Sequence, residues 1–197
     1  VTSLYYFRGV RGRRPLVLGG CCGLVPGALA GMRDAAGTIG IASVDGHVDV
    51  YDGRTSPTGE GADMPLAVAF GFGPERWVGA AGGPSATPAE SVVLGARDPE
   101  EAVHIAKLLE GELADLLVLS PDDLRAQGVR EAGDLAAKRL AAGPGRFWIH
   151  LDVDVLDEAA MPATDYLMPG RLQWEELAEL LPPLCASRAA AGLSIGC

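Results

Sequence analysis

At 197 residues and 48% hydrophobic, the chain carries enough apolar side chain for one good core, so a single domain spanning 1–197 with no structureless tail is expected. Its 26 acidic against 16 basic residues give a formal charge of −10, a balance that argues against gripping a nucleic-acid backbone. No apolar run is long enough to cross a bilayer, which points to a soluble, cytoplasmic protein.

The opening VTSLYYFRGVRGRRPLVLGG places its arginines after its aromatics and has no long apolar core, the wrong arrangement for a secretory signal. A β-rich run at 15–19 closes this stretch and leads into the glycine-rich LGGCCGLVPG. Cys21, Cys22, Cys185 and Cys197 show no C-x-x-C spacing, so neither a disulfide framework nor a zinc knuckle is suggested and a reducing compartment fits. A second β-rich run at 38–44 ends in SVDGHVDVYDG, where Asp45, His47 and Asp49 occupy alternate positions. After a third run at 91–94, Asp98-Pro99-Glu100-Glu101 offers a helix cap, a proline at the first helical position and a capping-box acid ahead of AVHIAKLLEGEL. Ser120-Pro121-Asp122-Asp123 repeats the device after a run at 115–119. The run at 147–151 leads into IHLDVDVLDE, with Asp152, Asp154 and Asp157. QWEELAELLPPL reads as an amphipathic helix stopped by Pro182-Pro183, and a last β-rich run follows at 192–195. Strands alternating with helices predict an α/β domain with a largely parallel sheet.

In such sheets ligands bind outside the carboxyl ends of the strands. Acids at alternate positions aim to one face if the chain stays extended, so the two acidic clusters would converge. Carboxylates gathered in one cleft repel one another unless they are protonated or neutralised by cations. Divalent metal is the economical resolution: oxygen donors with an imidazole suit manganese, magnesium or zinc, and bridging carboxylates would hold two ions. Taken alone, D-x-H-x-D also describes a polar loop at a strand end; D-x-D-x-x-D at a second strand end favours the metal reading. LVLGGCCGLVPG as a dinucleotide loop lacks the G-x-G-x-x-G spacing and the acid that should follow.

Asp45-Gly46-His47-Val48-Asp49, followed much later by Asp152-Val153-Asp154-Val155-Leu156-Asp157 and Met161-Pro162-Ala163-Thr164, resembles the arginase/agmatinase (ureohydrolase) family. LVLGGCCG lies where that family has a Gly-Gly-Asp-His segment, TSPTGEGADMPLAVAFG is similar to its substrate loop and following helix, and GLSIGC to its last core strand. The resemblance implies a three-layer α/β/α fold. It also implies a metal-dependent hydrolase that acts on a carbon–nitrogen bond of a guanidino or amidino compound through a metal-bound hydroxide. Carried over residue by residue, Asp45 and Asp152 would bridge up to two divalent ions, manganese first in expectation. Asp49 would complete one site, and His47 and Asp154 the other; Asp154, or a nearby acid, could also take part in proton transfer. Cys22 stands where the family has a histidine ligand. As a thiolate ligand it would shift preference toward zinc or iron; as a small buried residue it would only pack beside a one-ion site. The implied partners are a small cationic guanidino or amidino substrate and further copies of the chain, with neither nucleic acid nor membrane.

Several positions depart from the family pattern. Cys21 replaces the acid before Cys22, YDGRTSPTGEGADMP holds no proton-relay histidine, and Glu158 and Asp165 replace a proline and a glycine. His104 falls in a helical pattern as surface or core filler, and His150 directly precedes the second acidic motif. These departures argue against arginine as the substrate. They leave an alternative, a noncatalytic arginase-fold relative serving as a metal-binding or oligomer subunit. The chain begins close to one core strand and stops inside another, so the domain is expected to be incomplete at one or both ends.

Overall fold

The computed structural model describes residues 13–197; the first twelve residues of the opening stretch judged against a secretory signal lie outside the described residues. Among the described residues six strands, β1 (Leu16–Leu18), β2 (Gly40–Val44), β3 (Ser91–Leu94), β4 (Leu117–Leu119), β5 (Phe147–Asp152) and β6 (Ala190–Gly196), form one sheet in the order β1-β6-β5-β2-β3-β4. Every neighbouring pair is parallel. The helices are α1 (Val25–Ala36), α2 (Pro65–Phe70), α3 (Glu75–Ala80), α4 (Pro99–Leu109), α5 (Pro121–Gln127), α6 (Val129–Ala142) and α7 (Trp174–Ala186). Each β-rich run of the sequence is a strand here, the run at 91–94 with the same bounds and the others with an end shifted by one or two residues.

Alternation along the buried strands divides the interior in two. Ala42, Val44, Val92, Leu94, Phe147, Ile149 and Leu151 face α5, α6 and α7, whereas Ile41, Val93 and Trp148 face α1, α2 and α4. The result is the expected three-layer α/β/α arrangement, each sheet face covered as parallel strands require. Gly192 on β6 makes room for the Trp148 ring, because a Cβ there would overlap the indole. Among the described residues no helix is long and apolar enough to cross a membrane.

Two local expectations are corrected. α7 does not stop at Pro182-Pro183 but continues through them to Ala186. Leu177, Leu180, Pro183 and Leu184 form one buried face, so packing carries the helix past the lost hydrogen bonds. The carbonyls those prolines leave without donors belong to Ala178 and Glu179, both exposed to water. At α4, Asp98 caps the helix by accepting from Glu100 N and Glu101 N, but Glu101 does not complete a capping box. Its carboxylate is committed elsewhere, as shown below. The second device is as expected: Ser120 and Asp123 form a reciprocal capping box at α5.

Candidate metal centre

β2 and β5 lie side by side with Val44 opposite Leu151, so the next residues, Asp45 and Asp152, leave the carboxyl edge of the sheet together. Extended alternation does not bring their clusters into contact; turns do. Asp45 Oδ1 accepts from His47 N at 2.8 Å, and Asp152 Oδ1 accepts from Asp154 N at 2.8 Å. Each leading aspartate thus folds its own chain two residues on, the local bond that aspartate makes at turns. Asp49, at φ 58°, is the one non-glycine residue with positive φ among the described residues. Asp157 does not join the cluster: its carboxylate accepts from Ala159 N and Gly170 N and ties down the following loop.

Cys22 reaches the same point from the segment after β1. Its thiol donates to Asp152 Oδ2 at 2.7 Å and lies 3.8 Å from Asp45 Oδ2. On the far side, His47 Nδ1 is 2.9 Å from Asp154 Oδ2, while Asp154 Oδ1 accepts from Gly46 N at 3.0 Å. The six residues expected from the sequence, Cys22, Asp45, His47, Asp49, Asp152 and Asp154, therefore share one place. Two subsets bring ligand atoms within 4.8 Å of one another: Cys22, Asp45, His150 and Asp152, and Asp45, His47 and Asp49. Asp154 belongs to neither subset, because His47 and Gly46 hold its carboxylate.

Three residues here escaped sequence reasoning. His150 lies on β5 with Nε2 3.3 Å from Cys22 Sγ and Nδ1 2.8 Å from Ser194 Oγ. Its signal was available: it sits two residues before Asp152, on the same face of a strand. Glu101 reaches back from α4 to accept from Val48 N at 2.7 Å and Asp49 N at 2.9 Å, clamping Asp49 in its left-handed conformation. Arg171 is fully buried, with Nη2 3.0 Å from His47 Nε2 and Nη1 3.4 Å from Asp154 Oδ2. Neither had a local signal. His104 stacks on Tyr51 with ring centroids 4.4 Å apart and does not enter the cluster.

Burial and mutual repulsion dominate the electrostatics. Burial, then the charges of Asp49, Asp154 and Asp152, pushes Asp45 well above the carboxylate range. Asp49 is pushed up by burial and by Glu101, Asp152 by burial and by Asp154. The Cys22 thiol is raised by burial and then by the surrounding carboxylates. Burial would raise Asp154 too, but its bond from His47, with the charge of Arg171, outweighs that and holds its carboxyl below the usual value. Burial lowers His150 to about 4, so its ring is neutral. Acids and a thiol held in this way favour a bound cation, which would relieve the repulsion and draw off the protons.

Most of the cluster lines the floor of a cleft of about 300 Å³ whose lining, among the described residues, includes nine acidic residues and no lysine or arginine. Glu60, Asp63, Asp98, Glu100 and Asp165 line its walls, with Tyr51 and Tyr166 beside them. A wider cleft at the amino edge of the sheet is lined by Arg13, Arg14, Arg146 and Arg188 and shares none of these groups.

A model of the Arginase family matches residues 6–195. The arginase of Brevibacillus brevis is 31% identical over 169 residues, covering 84% of this chain and 54% of that protein. The arginase of Bacillus caldovelox is 39% identical over 167 residues, with the same coverage of 84% and 54%. Its crystal structure at pH 5.6 superposes with a TM-score of 0.83 at 26% identity, covering 94% of this chain and 61% of that one. The chain thus spans about half the length of the curated relatives it matches.

Proposed function

Since the chain belongs to the arginase family, we propose that it is a divalent-metal hydrolase cleaving a carbon–nitrogen bond of a small cationic guanidino or amidino compound. The observation that carries this reading is the convergence of Cys22, Asp45, Asp49 and Asp152 at the floor of a cleft walled by further acids. The donors fit a divalent ion in two sets, Cys22, Asp45, His150 and Asp152, and Asp45, His47 and Asp49, each close enough to share one and each holding acids that become anionic as a cation displaces their protons. When bound, such an ion supplies a Lewis acid that lowers the pKa of water to near neutrality and so provides a nucleophile for an unreactive amidino carbon.

This chain's own residues supply the rest. Glu60, Asp63, Asp98 and Glu100 attract the substrate's cationic end and raise its concentration in the cleft. Asp154 is held ionised, with His47 Nδ1 at 2.9 Å fixing its orientation, and receives the proton released as water adds to carbon. Glu101, through Val48 N and Asp49 N, keeps Asp49 aimed at the floor.

The test is release of urea or the corresponding amine from a panel of guanidino and amidino compounds, using metal-stripped protein and protein reloaded with manganese or zinc. Turnover that requires metal is expected; its absence with every compound and both metals overturns the reading. A second reading is a noncatalytic relative that keeps the fold and a single ion. It is favoured by the engagement of both His47 nitrogens, one by Asp154 and the other by Arg171. The same assay, run beside a count of bound metal, separates the two.

A further inference from the structure

The two halves of the cluster differ in what they leave open. On one side, Cys22 Sγ, a His150 ring nitrogen and carboxylate oxygens of Asp45 and Asp152 lie within 4.8 Å of one another, and all four residues are buried. On the other side, both nitrogens of His47 are engaged and the Asp154 carboxylate is held by His47 and Gly46. We propose that this centre takes a single ion of zinc-like preference, held by Cys22, Asp45, His150 and Asp152, and that the Arg171 guanidinium is the fixed cation of the other half, standing where a second ion would otherwise be needed. The proposal rests on the metal-dependent reading above and names the ion, its ligands and its count.

The donor set is the first argument. One thiolate, one imidazole and two carboxylate oxygens make a mixed sulfur, nitrogen and oxygen set of four, which suits zinc and is poorly matched to manganese, whose sites are built from oxygen and imidazole. The support of His150 is the second. A metal-bound imidazole donates its other ring N–H to an oxygen that fixes its orientation. His150 Nδ1 is 2.8 Å from Ser194 Oγ, and the same oxygen takes the Trp148 Nε1–H at 2.9 Å. With the ring proton on Nδ1, the Nε2 lone pair faces Cys22 and the acids. Any buried imidazole needs a partner for its N–H; what marks His150 as a ligand is that the other nitrogen is left facing the Cys22 thiol at 3.3 Å.

The occupied half is the third argument. Arginine carries donors only and keeps its proton in proteins. At 3.0 Å, Arg171 Nη2 therefore donates to a lone pair on His47 Nε2, which puts the ring proton on Nδ1, facing Asp154 Oδ2. Arg171 also donates to the carbonyls of Asp154 and Tyr166. Gly46, inside the acidic motif, is what admits it: a Cβ there would overlap the guanidinium carbon. Asp45, His47 and Asp49 also bring ligand atoms together, but an ion among them would have to detach His47 from Asp154 or Arg171 and sit beside a buried positive charge.

The test counts ions in the whole protein. Metal-stripped protein is titrated with zinc, by calorimetry and elemental analysis, and with cobalt as a spectroscopic probe. One equivalent is expected, and the cobalt form should show a thiolate-to-metal charge-transfer band that Cys22→Ser abolishes. His150→Gln should weaken binding by more than about 100-fold, beyond the roughly 10- to 100-fold loss that a supporting residue such as Ser194 causes when changed to alanine. Arg171→Met should admit a second equivalent. Two equivalents in the parent, a cobalt form without the sulfur band, or parental affinity in His150→Gln would each overturn the proposal. So would a folded Arg171→Met protein that still takes one ion; should that variant fail to fold by circular dichroism, the parent's count and His150→Gln decide. No metal bound at all would bring down the metal-dependent reading as well, whereas two ions would leave that reading standing.

Discussion

Changing Asp152 to asparagine separates the metal argument from simple fold stability. In the parent, Asp152 Oδ1 accepts from Asp154 N at 2.8 Å and Oδ2 accepts the Cys22 thiol at 2.7 Å. The asparagine carbonyl can keep the first bond, so the turn into Asp154 survives. Removing one buried carboxylate also relieves repulsion among Asp45, Asp49 and Asp154, so the metal-free variant should be as stable as the parent or more so. With metal the order reverses. A ligand at 100 times its Kd stabilises the folded state by about 2.7 kcal/mol, and a chain of this size gains roughly 2–4 °C in Tm per kcal/mol, so the parent should rise by about 5–11 °C. If losing an anionic ligand weakens binding about 100-fold, the same metal concentration gives the variant only about 0.4 kcal/mol, a rise of about 1–2 °C. Thermal melts of both proteins with and without zinc or manganese measure this directly. An equal rise in both would show that the ion binds elsewhere, and a metal-free variant melting far below the parent would show that Asp152 serves the fold and not a cation.

Two further outcomes follow from the same geometry. Glu101→Gln leaves one of the paired N–H groups of Val48 and Asp49 facing an amide donor, so folding stability should fall by about 1–3 kcal/mol; denaturant unfolding checks this, and a parental value would refute the clamp. Glu176 is held below its ordinary value first by its bond from Arg125, at 2.6 Å from Nε, so its contribution is present above the unfolded-state pKa and is lost as pH falls through the folded one. The pair is partly exposed and is worth at most about 1 kcal/mol; the stability gap between parent and Glu176→Gln should be open at neutral pH and closed in acid, and a gap that persists unchanged in acid would contradict the assignment.

What could be read from the chain alone is what depends on short separations. The strand runs at 91–94 and 147–151 were legible because β-rich residues bounded by turn residues leave little choice of conformation, and the caps at Asp98 and Ser120 because each is made within three residues. The acidic motifs were legible by their alternate spacing, but not the turns that Asp45 and Asp152 each close two residues on. Convergence of the motifs was expected from where ligands sit on a parallel sheet, but the adjacency of their two strands follows from the sheet order and from no local pattern.

Tertiary structure alone decided which other groups meet them. Glu101 lies 53 residues from Val48, Arg171 lies 124 from His47, and Cys22 lies 128 from His150. Such pairs carry no periodicity, because they meet only after the strands are ordered β1-β6-β5-β2-β3-β4 and the helices are laid across them. Local physics therefore put acids at two strand ends. The sheet order then gathered them with a thiol and a second imidazole on one side and a buried guanidinium on the other, where repulsion between like charges is relieved by protonation or by a bound cation.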